Sequence, residues 1–274
     1  MSLNSIGINI ARVIGPALGG ALILVSGTAA PFFATGFFYI TAVHLLLRRL
    51  PPAQRSPSAR EPIANAVLNG IRHTLGDATT RATLIRSGGY AFFASMYFSL
   101  LPLVARDQFA GGAGTYGTLL GCLGAGGIAA VLALPRWRAR SSPDRIARLG
   151  SIASALLLAA VGACHALWSM IPVLLAAGAA WVAVVATVNV AAQAALPAWV
   201  RARGLSIFMI VFNGMMALGS AGWGVVAGAV GISWAFLLSA VGLLLFELAT
   251  ARWRIPGDEA FSTATTKAAE PGIE

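Results

Sequence analysis

The sequence is poor in charged residues, and above all in acidic ones. Charged side chains make up 10% of its 274 residues, and only 9 residues are Asp or Glu. A soluble domain has about 25% charged residues, so this chain has too little charge to cover a surface that faces water. Its hydrophobic share of 58% also excludes a disordered chain. The composition therefore favours a protein that folds in a lipid bilayer.

Cysteine and the motifs of common enzymes are equally scarce. The two cysteines, Cys122 and Cys164, lie within apolar runs and lack the spacing of metal ligands, so we predict neither a disulfide nor a metal site. The sequence contains no Walker phosphate-binding loop, no G-x-S-x-G element and no cysteine cluster. We therefore predict no enzymatic activity, no catalytic residue and no cofactor.

Basic residues are present in excess, with 19 Lys or Arg against 9 acidic residues. Such an excess can indicate binding to nucleic acid. Here the arginines stand between long apolar runs and do not form one basic face. No nucleic-acid partner is predicted.

Long apolar runs dominate the chain. A helix needs about 20 mostly apolar residues to cross a bilayer, and a backbone in hydrocarbon must satisfy its own hydrogen bonds, which favours helices. The sequence predicts eight transmembrane helices, at about 3–25, 30–47, 85–105, 115–135, 146–165, 167–192, 205–226 and 231–251. The predicted fold class is an all-α polytopic membrane protein whose surroundings are the lipid bilayer.

The loops between these runs predict the orientation in the membrane. All basic residues except Arg12 and Arg106 fall in loops, in tails or at the adjoining ends of spans, and strict alternation places them all on one side. Loops on the cytoplasmic side carry the excess of Lys and Arg. We therefore predict a protein of the bacterial inner membrane with both termini in the cytoplasm.

The same pattern divides the chain into four parts. Residues 1–47 hold two spans, and 48–84 form a cytoplasmic linker that is rich in Pro and Ser at its start. Residues 85–252 hold six spans, and 253–274 are predicted to be a disordered cytoplasmic tail. The linker also predicts an amphipathic helix on the membrane surface, from four apolar residues at four-residue spacing: Ile63, Val67, Ile71 and Leu75.

The glycine pattern of the first span returns near the end of the chain. Residues 9–27 and 213–231 align without a gap, with Asn, Gly and Ala at matching places. We interpret this as a duplication in which the first two spans correspond to the last two. The second half then has six spans, and the first half shows only its final two. Parallel repeats of six spans are the plan of many secondary transporters.

The first span also carries a motif of known exporters. Gly15, Pro16, Gly19 and Gly20, within the stretch LNSIGINIARVIGPALGG, resemble the glycine-proline motif of the fifth helix in exporters of the major facilitator superfamily. With LPLVARDQFAGGAGTYGTLLGCLGAGG and AALPAWVRARGLSIFMIVFNGMMALGSAGWG, the chain is similar to the branch that contains the enterobactin exporter and transmembrane secretion effectors. The likeness covers about residues 2–252, as family helices five to twelve without the first four.

The resemblance implies secondary active export of a small molecule, siderophore or drug-like, by alternating access and proton antiport. It implies that the glycine-proline motif is a hinge or seal between the two halves; the alternative for these residues is ordinary tight packing of neighbouring helices. It also implies that the absent helices, or a second copy of the chain, complete the cavity. The alternative is a truncated or regulatory membrane protein that does not transport.

Arg12 lies about a dozen residues into the first predicted span. An arginine there costs about 2.5–3.5 kcal/mol on insertion scales, so it should face a cavity or a partner. Three readings stay open: pairing with an acid elsewhere, contact with substrate or protons, and snorkelling to the interface.

A charged loop follows the fourth predicted span. It resembles the gating loop of the superfamily, in which ion pairs close the inward face; its candidate residues are Arg136, Arg138, Arg140, Asp144 and Arg145. The alternative is that these residues reflect only the excess of positive charge on the cytoplasmic side. Glu247, near the end of the last span, is interpreted as a solvated carboxylate at the membrane interface, and the alternative is a proton site.

Polar and aromatic residues within the spans are candidates for the substrate cavity. Buried amides need partners, so each either bridges helices or lines the cavity; the candidates are Asn189, Gln193 and Asn213. Aromatic rings could form walls for an apolar cargo, from Tyr90, Tyr97, Trp181 and Trp223. The alternative for each ring is ordinary helix packing.

Overall fold

The structure is a computed structural model that describes residues 22, 26, 29–49, 76–196, 201–253 and 255. The predicted first span, about 3–25, lies outside the described residues except for residue 22. The same holds for its motif residues Gly15, Pro16, Gly19 and Gly20, and for Arg12. The predicted surface helix in the linker also lies outside them.

Seven helices in the described part of the chain are long and apolar enough to cross a membrane. They are α1 (Ala30–Arg49), α2 (Ala78–Gln108), α3 (Ala113–Arg138), α4 (Pro143–Ala163), α5 (Leu167–Ala195), α6 (Arg201–Val230) and α7 (Ile232–Ala249). Each one covers a predicted span, and the described residues contain no strand. The predicted all-α membrane fold is confirmed.

Local sequence explains where several of these helices begin. Asp77 caps α2, since its carboxylate accepts a hydrogen bond from the amide of Thr80 at 2.7 Å. Ser142 caps α4 in the same way, with its hydroxyl oxygen 3.3 Å from the amide nitrogen of Arg145. The break between α6 and α7 falls at Gly231, whose φ of 87° favours glycine.

Helix α2 is not continuous. Its parts are Ala78–Ala94, Met96–Ser99, Leu101–Leu103 and a π-helical turn, Val104–Gln108. Pro102 cannot donate a backbone hydrogen bond, which accounts for the break beside it.

Helices α2 to α7 pack into one bundle in which consecutive helices run antiparallel. The most extensive contacts join α3 to α5, α4 to α5, α4 to α7, and α2 to α6. We call the end where α2, α4 and α6 begin the basic end, because the described arginines concentrate there: Arg81, Arg86, Arg136, Arg138, Arg140, Arg145, Arg148, Arg201, Arg203 and Arg252. By contrast, α1 exposes its apolar side chains.

Two glycines bring α3 and α5 into backbone contact. A Cβ atom on Gly126 would collide with the carbonyl group of Leu175, and one on Gly178 would collide with the carbonyl group of Leu123. The two helices are therefore as close as backbones allow, which is typical of small residues at membrane helix interfaces.

Replacing Gly178 should destabilise this crossing. A Cβ atom there meets main chain, which cannot rotate away, so we expect Gly178→Ala to cost about 1–3 kcal/mol, as overpacked core substitutions do. Thermal unfolding of the purified protein in detergent measures the loss. Gly222→Ala is the matched control, because no atom lies within 4 Å of a Cβ at that position. Equal unfolding temperatures for the two variants would contradict the packing.

Candidate functional site

Four charged side chains form one cluster at the basic end of the bundle. Arg86 of α2 contacts Asp144 of α4 through Nη1 at 2.5 Å, and Glu247 of α7 through Nη2 at 3.1 Å. Arg148, one turn after Asp144, contacts its second carboxylate oxygen at 3.1 Å. We call these four residues the basic-end cluster. It joins three helices and carries no net charge.

The centre of the cluster is shielded from solvent, and its rim is not. The side chains of Arg86 and Glu247 are 2% and 4% exposed, whereas those of Asp144 and Arg148 are 18% and 34% exposed. Charges taken out of water are tolerated only when they are paired and hydrogen bonded. The prediction that Glu247 is a solvated interfacial carboxylate is therefore wrong. The reason is that α2 begins well before the predicted span, so that Arg86 lies about two turns inside the helix and reaches Glu247.

The residues of the predicted gating loop separate into two groups. Asp144 is engaged by Arg86 and Arg148, and it makes no ion pair with a loop arginine among the described residues. Arg138 donates to the carbonyl oxygen of Ala186 on α5 at 3.2 Å. The remaining arginines are exposed at the basic end: Arg136, Arg140 and Arg145.

Three aromatic rings from three helices meet at the level of the middle of α5. Trp181 lies edge-on to Phe98 of α2, with ring centroids 5.0 Å apart, and its centroid is 6.2 Å from that of Phe212 of α6. Phe98 and Trp181 are partly exposed. We call Phe98, Trp181 and Phe212 the aromatic wall. Sequence reasoning identified Trp181 and missed the two phenylalanines, because nothing in their local sequence shows that three helices bring them together.

Two of the other predicted cavity rings lie in the packed core. Tyr90 and Tyr97 are 1% and 0% exposed, and both hydroxyls hydrogen bond to Ser154 of α4, at 2.9 and 2.7 Å. Tyr90 also stacks on Trp181, with centroids 5.6 Å apart. Tyr90 therefore supports the aromatic wall through Trp181, while Tyr97 holds α2 against α4.

Trp223 is also placed in the packing between helices. Its indole nitrogen donates to the carbonyl oxygen of Phe92 at 3.2 Å, and its ring lies 5.9 and 6.0 Å from the rings of Phe92 and Phe93. Gly219, one turn earlier, allows this close approach because a Cβ there would strike the carbonyl group of Phe92. Trp223 thus fixes α6 against α2.

The predicted amides form hydrogen bonds within their own helices. Asn189 donates to the carbonyl oxygen of Val185 at 2.8 Å, and Gln193 donates to that of Asn189 at 3.2 Å. Asn213 donates to the carbonyl oxygen of Met209 at 2.8 Å. None of the three bridges two helices within the described part of the chain.

The central parts of α2 to α7 carry no charged side chain. Residues 87–105, 113–135, 149–163, 167–195, 204–230 and 232–246 contain no Asp, Glu, Lys or Arg. At the centre, the bundle therefore offers aromatic rings, apolar surface and amide groups. Such a surface suits an uncharged and largely apolar molecule.

The geometry defines a polytopic helical membrane protein built around a six-helix bundle with a charged end and an uncharged centre. The chain matches the transmembrane secretion effector family over residues 1–274, and it belongs to that family of the major facilitator superfamily. The family and the seven apolar helices support a membrane transporter with a role in efflux. No curated protein matches the chain.

Proposed function

We propose that the protein is a secondary active transporter that exports a small, largely apolar molecule, siderophore or drug-like, in exchange for protons. The observation that carries this proposal is the family match over the whole chain. Transport would follow alternating access, in which one six-helix unit rocks against another around a site near the middle of the membrane.

The cargo would lie against the aromatic wall. Trp181 and Phe98 leave part of their rings exposed, and the amides of Asn189, Gln193 and Asn213 supply polar groups for orientation. A few placed polar groups among apolar ones are typical of small-molecule sites. The facing surface would come from further helices of the family fold or from a second copy of the chain.

Parts of this proposal concern residues outside the described structure. We propose that Gly15, Pro16, Gly19 and Gly20 form a hinge or seal, and that Arg12 pairs with an acid or with the cargo, because an unpaired charge within the membrane is costly. The exposed arginines of the predicted gating loop, Arg136, Arg140 and Arg145, would meet acidic groups of the facing unit when the inward side closes.

Export is tested by the accumulation of cargo in energised cells that lack their own exporters. The comparison includes cells with this chain, cells with a segment that carries family helices one to four, and cells with both. We expect accumulation to fall only when both are present, and to return when a protonophore is added. Equal accumulation in every case would contradict the proposed export. Efflux by residues 1–274 alone would favour the second copy as the facing unit.

The orientation is a separate prediction. We propose that the basic end faces the cytoplasm, since loops rich in arginine stay on that side. Single cysteines at 54–58 and at 265–270, in a chain without Cys122 and Cys164, should resist a membrane-impermeant maleimide in whole cells and react after lysis. A cysteine at Gly112, an exposed residue at the other end of the bundle, should react in whole cells. The reverse pattern would overturn the orientation.

A further inference from the structure

The backbone that follows α7 is held by charged side chains of other helices. Arg148 donates to the carbonyl oxygen of Ala251 at 2.9 Å, and Arg86 donates to that of Trp253 at 3.3 Å. The amide of Ile255 donates to the carboxylate of Asp144 at 3.1 Å. The segment is thus bound by α2 and α4, although it follows α7 in the sequence.

The same segment is also packed against the bundle. Ile255 is 3% exposed and belongs to the main apolar core. The chain folds back on itself before that point, because the amide of Trp253 donates to the carbonyl oxygen of Thr250 at 2.9 Å. The predicted disordered tail begins at 253, and these contacts place two of its residues, Trp253 and Ile255, in the packed structure.

We propose that residues 251–253, together with Ile255, form a C-terminal latch, closed by Asp144, that joins the end of α7 to α2 and α4. Asp144 accepts from two arginines and from one backbone amide, and hydrogen bonds to a charged acceptor are about twice as strong as neutral ones. The latch makes the basic ends of three helices move as one unit. It acts within one six-helix unit and does not depend on the cargo.

The two acids of the basic-end cluster, Asp144 and Glu247, can be compared to test this proposal. Glu247 contacts Arg86, and no hydrogen bond joins it to residues 251–255 within the described structure. Removing its charge loosens the cluster while the acceptor for Ile255 stays in place. Removing the carboxylate of Asp144 opens the latch directly. Comparing variants of the two acids therefore distinguishes a segment that is anchored by Asp144 from a helix end that frays whenever the cluster is weakened.

The test is the reaction rate of Ile255→Cys with a permeant maleimide. The full chain is used in native membranes, with Cys122 and Cys164 replaced by Ser, and each rate is divided by the rate in SDS. We expect slow reaction in the parent, a rise of at least about tenfold with Asp144→Ala, and less than about twofold with Glu247→Gln. An unchanged rate with Asp144→Ala, or equal rises for both variants, would overturn the latch.

A second site guards against general unfolding. Leu174→Cys, at 0% exposure in the core of α5, should stay slow in every folded variant. If Asp144→Ala also exposes Leu174→Cys, the reaction rate at Ile255→Cys is measured in Asp144→Asn instead. This variant keeps an oxygen that can accept from the amide of residue 255 and loses only the charge. That variant should raise the rate at Ile255→Cys by a few fold with the core still protected. No change there would contradict the latch.

Discussion

Arg86→Ala should destabilise the protein more than any other single change at the basic end. Arg86 is the residue that contacts both Asp144 and Glu247, and its side chain is 2% exposed. Removing it leaves the carboxylate of Glu247 buried without its partner. Breaking a buried ion pair on one side costs about 3–5 kcal/mol. The measurement is the free energy or the temperature of unfolding of the purified protein in detergent.

The control for this prediction is another arginine that pairs with an aspartate. Arg106 contacts Asp107 at 2.6 Å, but its side chain is 73% exposed. Exposed ion pairs contribute about 0–1 kcal/mol, so Arg106→Ala should leave the unfolding temperature nearly unchanged. If the two variants lose equal stability, shielding from solvent does not explain the contribution of Arg86 to the free energy of unfolding.

Trp181→Ala should abolish most cargo export while the protein still reaches the membrane. The ring of Trp181 is the centre of the aromatic wall and touches rings from two other helices. Each aromatic pair contributes about 0.5–1.5 kcal/mol beyond the burial of its area. The loss of a stacking surface for the cargo should therefore lower apparent affinity by about tenfold or more. Efflux at matched protein levels measures the effect.

Trp168 supplies the matched control on the same helix. It lies at the beginning of α5 and is 84% exposed, away from the aromatic wall. Trp168→Ala should export at the parent rate. Trp181→Phe should keep a large part of the activity, since it retains an aromatic face. Full export by Trp181→Ala would contradict the proposal that the cargo binds to the aromatic wall.

The sequence predicted the membrane class and the span positions because these depend on local properties. A run of about 20 apolar residues is sufficient to define a span, and the helices over 113–138 and 167–195 follow such runs closely. Asp144 and Arg148 have the four-residue spacing of a helical ion pair. This pair was not predicted, because the predicted span began at about 146 and left Asp144 in the loop.

The candidate site was harder to predict from the sequence, because its contacts join distant parts of the chain. Arg86 and Glu247 are 161 residues apart in the sequence, and no local sequence pattern indicates that α2 and α7 bring them together. The same holds for Tyr97 and Ser154, on different helices. An aromatic residue in a span can line a cavity or fill the core, and only the packing of neighbouring helices distinguishes Trp181 from Tyr97. The use of these rings by a cargo remains a prediction.

Proton-driven movement of cargo is measured most directly in inverted membrane vesicles. In these vesicles export from the cytoplasm becomes uptake, and respiration acidifies the lumen. The vesicles contain this chain together with the segment that carries family helices one to four. When they are energised, we expect them to take up a fluorescent, uncharged aromatic cargo, and to release it when a protonophore collapses the proton gradient. Uptake no greater than in vesicles without the chain, with or without energy, would contradict the proposal that this protein is a proton-linked exporter.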